Sequence, residues 1–151
     1  MIDIQNNFTD VYFENVLLKD YPPIRKNGTE RSQIIRFGEQ SIYSNSIVSI
    51  PAIFDIFKDK VEFTSVQLNE YYPGQKIEPH IDNFKRGDVI QILSLLSDCY
   101  IKFHNKNITK EYLLPRYSLL TFSGEHRTIW KHSVDVTEHR YSIIFRNYKQ
   151  D

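Results

Sequence analysis

Three side chains in this sequence are of the types that hold a redox-active metal: His80, Asp82 and His132. A non-haem Fe(II) centre that activates O2 holds one face of the ion with two imidazoles and a carboxylate and leaves the other positions open. His80-Ile81-Asp82 sets an imidazole and an acid two residues apart, and on a strand that spacing projects both from one face. The third ligand must then come from a distant strand. His132 suits that role, because Thr128-Ile129-Trp130-Lys131-His132-Ser133-Val134 is rich in β-branched and aromatic residues. Near the end of the chain, Arg140-Tyr141-Ser142-Ile143-Ile144-Phe145-Arg146 puts Arg140, Ser142 and Arg146 out of phase with Ile143 and Phe145, so on a strand the polar set shares one face. A guanidinium pairs bidentately with a carboxylate and stays charged when buried. Arg140 and Arg146 therefore suit a dicarboxylate such as 2-oxoglutarate, with its keto-acid end on the iron. Asp82 would be a metal ligand and not a general base.

The short pair has a bland alternative. With five histidines and 19 acidic residues in 151, a His-x-acid match arises by chance in roughly one such chain in two, and an ordinary surface hydrogen bond explains it equally well. His126 competes with His132 as a ligand, but its turn-prone flank, Gly124-Glu125-His126-Arg127, would hold a ligand less rigidly than a strand. His104 reads as a surface residue near a turn. His139 precedes Arg140 and would face away from the clamp. Cys99 stands alone, which excludes a cysteine-based zinc site and an internal disulfide and fits a reducing interior. No glycine-rich phosphate loop is present.

The elements that must position these residues are mostly strands. After about residue 62 the chain becomes short β-rich runs separated by turn residues: 62–69, 89–96, 100–104, 111–114, 118–122, 128–134 and 139–148. Such spacing predicts a sandwich or barrel. Before it, residues 9–19 have a capping candidate and apolar residues at helical spacing, ended by Pro22-Pro23, and a second helix is predicted from Pro51 with Ile53, Phe54 and Phe57 on one face. Asn27-Gly28 marks a turn. At 151 residues, 40% hydrophobic and 14% aromatic, the chain suffices for one domain. Its start lacks a basic stretch followed by an apolar run, and no apolar span approaches twenty residues. The expected setting is a soluble intracellular one, in cytoplasm or nucleus, in which the Asn-x-Ser/Thr matches at Asn7, Asn27 and Asn107 are incidental.

Taken in order, Asn69-x-Tyr71-x-Pro73-Gly74, His80-x-Asp82, Ser94-Leu95-Leu96, Leu114-Pro115-Arg116-Tyr117-Ser118-Leu119-Leu120, Gly124-Glu125-x-Arg127, Trp130-x-His132 and Arg140-x-Ser142-x-x-x-Arg146 resemble the AlkB family of iron and 2-oxoglutarate dioxygenases. The likeness covers roughly residues 31–148 and is strongest over 66–82 and 113–146. The spacing from Glu125 to His132 and the Ser at 142 are most similar to the eukaryotic branch whose oxygenase domain hydroxylates modified wobble uridines in tRNA. The resemblance implies a double-stranded β-helix (jelly-roll), mainly β within an α+β chain, with two helices packed outside. It implies one domain, with residues 1–61 a helical and substrate-lid extension and 62–150 the dioxygenase core. It implies Fe(II), 2-oxoglutarate and O2 as cofactor and cosubstrates, with Asn69, Tyr71, Arg140 and Arg146 on 2-oxoglutarate, Ser142 beside them, and His80, Asp82 and His132 on the metal. One departure is Ile144, where the family often has Thr or Ser; it reads as a packing variation.

The implied reaction splits 2-oxoglutarate to succinate and CO2 while a C–H bond is hydroxylated, either removing a methyl group from alkylated DNA or RNA or modifying a tRNA base. The expected partner is a nucleic acid, with no membrane, and the chain is expected to act as a monomer. Charge sits awkwardly with that, since Lys plus Arg equal Asp plus Glu at 19 each, whereas proteins that depend on phosphate contacts usually carry a basic excess. Arg25, Lys26, Arg31 and Arg36, with only Glu30 against them, offer either a local basic lip or a solvated loop. Family members fold a segment with an Arg and an aromatic-Gly pair over the substrate base, and Arg31 with Phe37-Gly38 is similar. Arg31, Phe37 and Tyr43 are accordingly assigned to substrate contact, since an extruded base is held between aromatic faces; the alternative is that Phe37 and Tyr43 plug the sheet edge. The same chemistry on a protein side chain or small molecule, or a silent binding module on the same scaffold, remain the competing functions.

Overall fold

The computed structural model describes residues 1–39 and 46–148. Ten strands form two antiparallel sheets. The larger is ordered β1-β8-β5-β10-β3-β2, from Ile2–Gln5 (β1), Leu119–Ser123 (β8), Val89–Leu95 (β5), Arg140–Arg146 (β10), Ser65–Tyr71 (β3) and Gln33–Phe37 (β2). The smaller is ordered β4-β9-β6-β7, from Lys76–His80 (β4), Lys131–Asp135 (β9), Cys99–Asn105 (β6) and Ile108–Leu114 (β7). This is the jelly-roll.

Alternation along β10 explains the layering. Tyr141, Ile143 and Phe145 face a core shared with helix α1 (Val11–Asp20), where Phe13 meets Phe57 edge-on at 4.9 Å and Leu17, Leu68, Leu93 and Ile143 are fully buried. Each such side chain contributes about 1.5–3 kcal/mol of burial. Ile144 points the other way, into a second core between the sheets with Ile90, Ile101, Phe103 and Val134. Arg140, Ser142 and Arg146 share that inner side and line the pocket there.

Helix α1 starts where expected. Asp10 caps it, its carboxylate accepting from Phe13 N at 3.1 Å, and the chain leaves the helix just before Pro22. The second predicted helix is a 3-10 turn over Ala52–Phe57, too short to propagate an α ladder, yet it still buries Phe54 and Phe57. Residues 1–61 also supply both edge strands of the larger sheet, β1 and β2, which the hydrophobic pattern did not reveal.

Two further expectations are corrected. The run 128–134 is not one strand: Gly124, at φ +61°, opens a single helical turn α2 (Glu125–Thr128), and β9 begins only at Lys131. Asp82 does not share a strand with His80, because β4 ends at His80. Pro79 is tolerated there because β4 is a sheet edge.

Candidate metal and dicarboxylate site

His80 and His132 are direct cross-strand partners of β4 and β9, which places their rings on one face with centroids 4.2 Å apart. The chain turns after His80 and brings Asp82 against both: its Oδ1 lies 3.1 Å from His80 Nε2 and 3.4 Å from His132 Nε2. The three ligand atoms lie within 4.8 Å of one another, and no other group of three or more His, Cys, Asp or Glu side chains converges in this way among the described residues. His80 Nδ1 sits 2.9 Å from the Glu78 carbonyl, an acceptor that holds the ring with Nε2 turned toward Asp82. His132 is held by packing instead, its ring 5.1 Å from that of Phe122, and its Nδ1 is buried without a partner.

Electrostatics prepare this group for a cation. Burial works to raise the Asp82 carboxyl, but hydrogen bonds from His132 and His80 and the charge of Arg146 outweigh it and hold Asp82 well below the usual carboxylate range. Burial likewise lowers His132, against the pull of Asp82, favouring the neutral imidazole that a metal requires. Arg146 Nε and Nη2 donate to Asp82 Oδ2 at 3.0 and 2.8 Å, so Oδ2 is occupied and Oδ1 is left facing the two histidines.

Across the same pocket, the central strands of the larger sheet lay out a polar floor. The register Asn69↔Ser142↔Ser94 places one row across β3, β10 and β5, with Tyr71↔Arg140 in the next. Arg140 is 2% exposed; Nη1 donates to Ser94 Oγ at 3.0 Å, and Nε has no partner. No carboxylate pairs with it among the described residues. Burial raises the Tyr71 phenol, although Arg31 and Arg140 pull it down, so Tyr71 keeps its proton at neutral pH; Asn69 Nδ2 donates to its oxygen at 3.4 Å. A buried, uncompensated guanidinium beside hydroxyl and amide donors is a receptor for an anionic group.

Both halves line one pocket of about 530 Å³, within the usual range for small-ligand sites. The donor set fits Fe(II) at one end, and Arg140, with no acidic partner among the described residues, fits the far carboxylate of a 2-oxoglutarate at the other.

Of the residues assigned to substrate contact, Arg31 lines this pocket and Phe37 does not. Phe37 is buried in the helix-side core, 5.6 Å from the Tyr21 ring and 6.4 Å from Phe54. Along β2, Phe37 and Ile35 face the helices, while Ile34 and Arg36 face the pocket. The substrate-contact assignment for Phe37 is therefore replaced by a core role, and Tyr43 lies outside the described residues. Gln67 and Arg86 line the pocket and were not anticipated; Arg36, one of the basic residues read as either a lip or a solvated loop, lines it too, and the period of two along β2 puts it on that face. His126 stacks on Trp130 at 5.5 Å and takes no part in the site.

No family model matches the chain. Among solved structures, OsALKBH1 superimposes with a TM-score of 0.69 at 13% identity, over 96% of this chain and 97% of that one. A Pseudomonas putida prolyl-4-hydroxylase gives 0.65 at 15% identity over 99% and 93% of the two chains. An oxidoreductase of the 2OG-Fe(II) oxygenase family from Burkholderia pseudomallei gives 0.65 at 13% over 96% and 82%. The chain has an AlkB-like 2OG-Fe(II) oxygenase fold. Curated relatives of the chain include the tRNA (carboxymethyluridine(34)-5-O)-methyltransferase ALKBH8 of Macaca fascicularis, 32% identical over 120 residues, 68% of this chain and 18% of the relative. The Xenopus tropicalis counterpart is 37% identical over 79 residues, 51% of this chain and 12% of the relative. The match thus spans less than a fifth of either relative's length. Among the described residues no helix is long and apolar enough to cross a membrane.

Proposed function

We propose that this chain is an Fe(II)- and 2-oxoglutarate-dependent dioxygenase that oxidises a C–H bond on a nucleic-acid base. The observation that carries the reading is Arg140, a buried guanidinium with no acidic partner, in the same pocket as the only convergent His/Asp/His group among the described residues. His80, Asp82 and His132 hold the ion, which when bound supplies the oxidising chemistry at the cost of 2-oxoglutarate, released as succinate and CO2. The chain's own residues do the positioning. Arg140, with Ser142, Asn69 and Tyr71, fixes the far carboxylate, and Arg146 orients Asp82 from behind. Within a single domain, residues 62–150 are assigned to the dioxygenase core, and residues 1–61 add α1, the edge strands β1 and β2 and the proposed substrate lid.

A tRNA or other RNA base is the preferred substrate class, because the curated relatives are named for a tRNA wobble uridine. Their named activity is methyl transfer, and only the substrate setting is carried over. That Arg31 and Arg36 line the pocket supports assigning them to substrate contact. We read the chain as a soluble intracellular monomer, consistent with its single free, buried Cys99. A second reading, oxidation of a protein side chain, draws on the formal net charge of zero and on the prolyl-hydroxylase neighbour.

The experiment is mass spectrometry of tRNA, mRNA, alkylated DNA and peptides after incubation with the protein, Fe(II), 2-oxoglutarate and air. A hydroxylated or demethylated base accompanied by succinate supports the first reading. Oxidised peptide with unaltered nucleic acid selects the second. No binding of metal or 2-oxoglutarate by the purified protein leaves only a silent scaffold.

A further inference from the structure

One buried cation has no part in that reading. Arg127, on α2, is 3% exposed and forms no ion pair with a carboxylate among the described residues; its three nitrogens each donate to a different carbonyl, Nε to Gly87 at 2.8 Å, Nη1 to Asp82 at 2.9 Å and Nη2 to Asn83 at 2.9 Å. All three acceptors lie on the single segment that carries Asp82. That segment has left β4, so no strand ladder fixes its backbone, and the guanidinium substitutes for one. Arg127 itself leads into β9, where His132 follows five residues on. We propose that Arg127 is a positioning residue for the metal site, bracing the Asp82 segment against the His132 segment so that the ligands stand at coordinating distance before a metal arrives. This rests on the iron reading above.

The division of labour is geometric. Arg146 fixes the Asp82 carboxylate through Oδ2, whereas Arg127 fixes the backbone from which that side chain springs. At its far end the segment packs closely on the chain after β10: Gly87 sits at φ +92°, and a Cβ there would lie 2.5 Å from the Asn147 carbonyl oxygen. Asn83 Oδ1 accepts from Lys85 N at 2.9 Å and tightens the turn between. Three carbonyls spread around one planar fork suit arginine alone, since a lysine presents its donors from a single point. Without the brace, a metal must order this segment as it binds, and its affinity falls.

The test uses the full chain as wild type, Arg127→Met, Arg127→Lys and Glu14→Gln, with Co(II) as probe and no substrate present. Glu14 is buried on α1 with Arg116 and Tyr117, away from the site, so Glu14→Gln reports what lost stability alone does to the metal. Expected is one Co(II) per wild-type chain, an affinity loss of about 10–100-fold with an altered visible spectrum in Arg127→Met, a smaller loss in Arg127→Lys, and wild-type affinity and spectrum in Glu14→Gln despite a lower Tm. Wild-type affinity and spectrum in Arg127→Met would overturn the proposal, as would an equal loss in Glu14→Gln, or failure of both Arg127 variants to fold, which would assign the residue to the fold alone. Wild type that binds no Co(II) would instead remove the iron reading on which the proposal depends.

Discussion

The two ends of β10 carry the same side chain in opposite circumstances. Arg146 is 5% exposed and doubly bonded to the Asp82 carboxylate, with Nη1 also donating to Gln67 Oε1 at 2.8 Å. Arg140 is 2% exposed, on the same face six residues earlier, with one serine hydroxyl and no counter-charge. Removing one partner of a closed buried pair strands a charge, whereas a buried charge with no partner is already disfavoured in the empty protein. The contrast teaches that Arg146 belongs to a closed ion pair, whereas Arg140 keeps a charge that the proposed dicarboxylate would balance. Burial alone does not distinguish them; the presence or absence of an acid within reach does.

The largest expected effect tests the closed end. Asp82→Ala abolishes metal binding and turnover and also strands Arg146, lowering the stability of the metal-free protein by about 3–5 kcal/mol in chemical denaturation. His80→Ala abolishes turnover with far less loss of stability, because the Asp82 carboxylate keeps Arg146 and His132 as partners. Equal stability losses in the two variants would show that Arg146 and Asp82 are not coupled. At the open end, Arg140→Met raises the half-saturating 2-oxoglutarate concentration by roughly thirtyfold, equivalent to about 2 kcal/mol of charge-assisted contact. The same variant leaves the ligand-free protein as stable as wild type or more so. A destabilised Arg140→Met with an unchanged 2-oxoglutarate requirement would reverse the assignment of the two arginines. Ser94→Ala, which removes the one hydroxyl steering Arg140, shifts that requirement by about fivefold, near 1 kcal/mol. The smallest effect is expected from Arg31→Ala, a few-fold loss of substrate-dependent turnover with uncoupled 2-oxoglutarate consumption unchanged. Parallel loss of both would place Arg31 in support of the fold.

Much of this was legible in the sequence because it depends on residue type, order and a period of two. Arg140, Ser142 and Arg146 fall on one face of β10, and His80, Asp82 and His132 converge. What escaped depends on where strands begin and end. Asp82 meets His80 after the strand has finished, so the convergence comes from a turn held by Arg127 rather than from strand alternation. Thr128 is β-branched yet helical, because Gly124 starts a turn before β9. Phe37 was assigned to the wrong face because β2 was not recognised: Gln33-Ile34-Ile35-Arg36-Phe37 carries apolar residues on both sides, one set for the helices and one for the pocket. That the two β10 arginines differ in role is a tertiary fact, set by Asp82 reaching one and not the other.

The central claim is that one pocket holds a metal on His80, Asp82 and His132 and a dicarboxylate on Arg140. Crystals grown without oxygen in Mn(II) and 2-oxoglutarate test it directly by anomalous scattering. The account predicts one metal peak bonded by those three side chains, with the keto-acid end of 2-oxoglutarate on the metal and its far carboxylate against Arg140. A metal bound elsewhere, or a far carboxylate held by Arg146 while Arg140 stays without a partner, would contradict it.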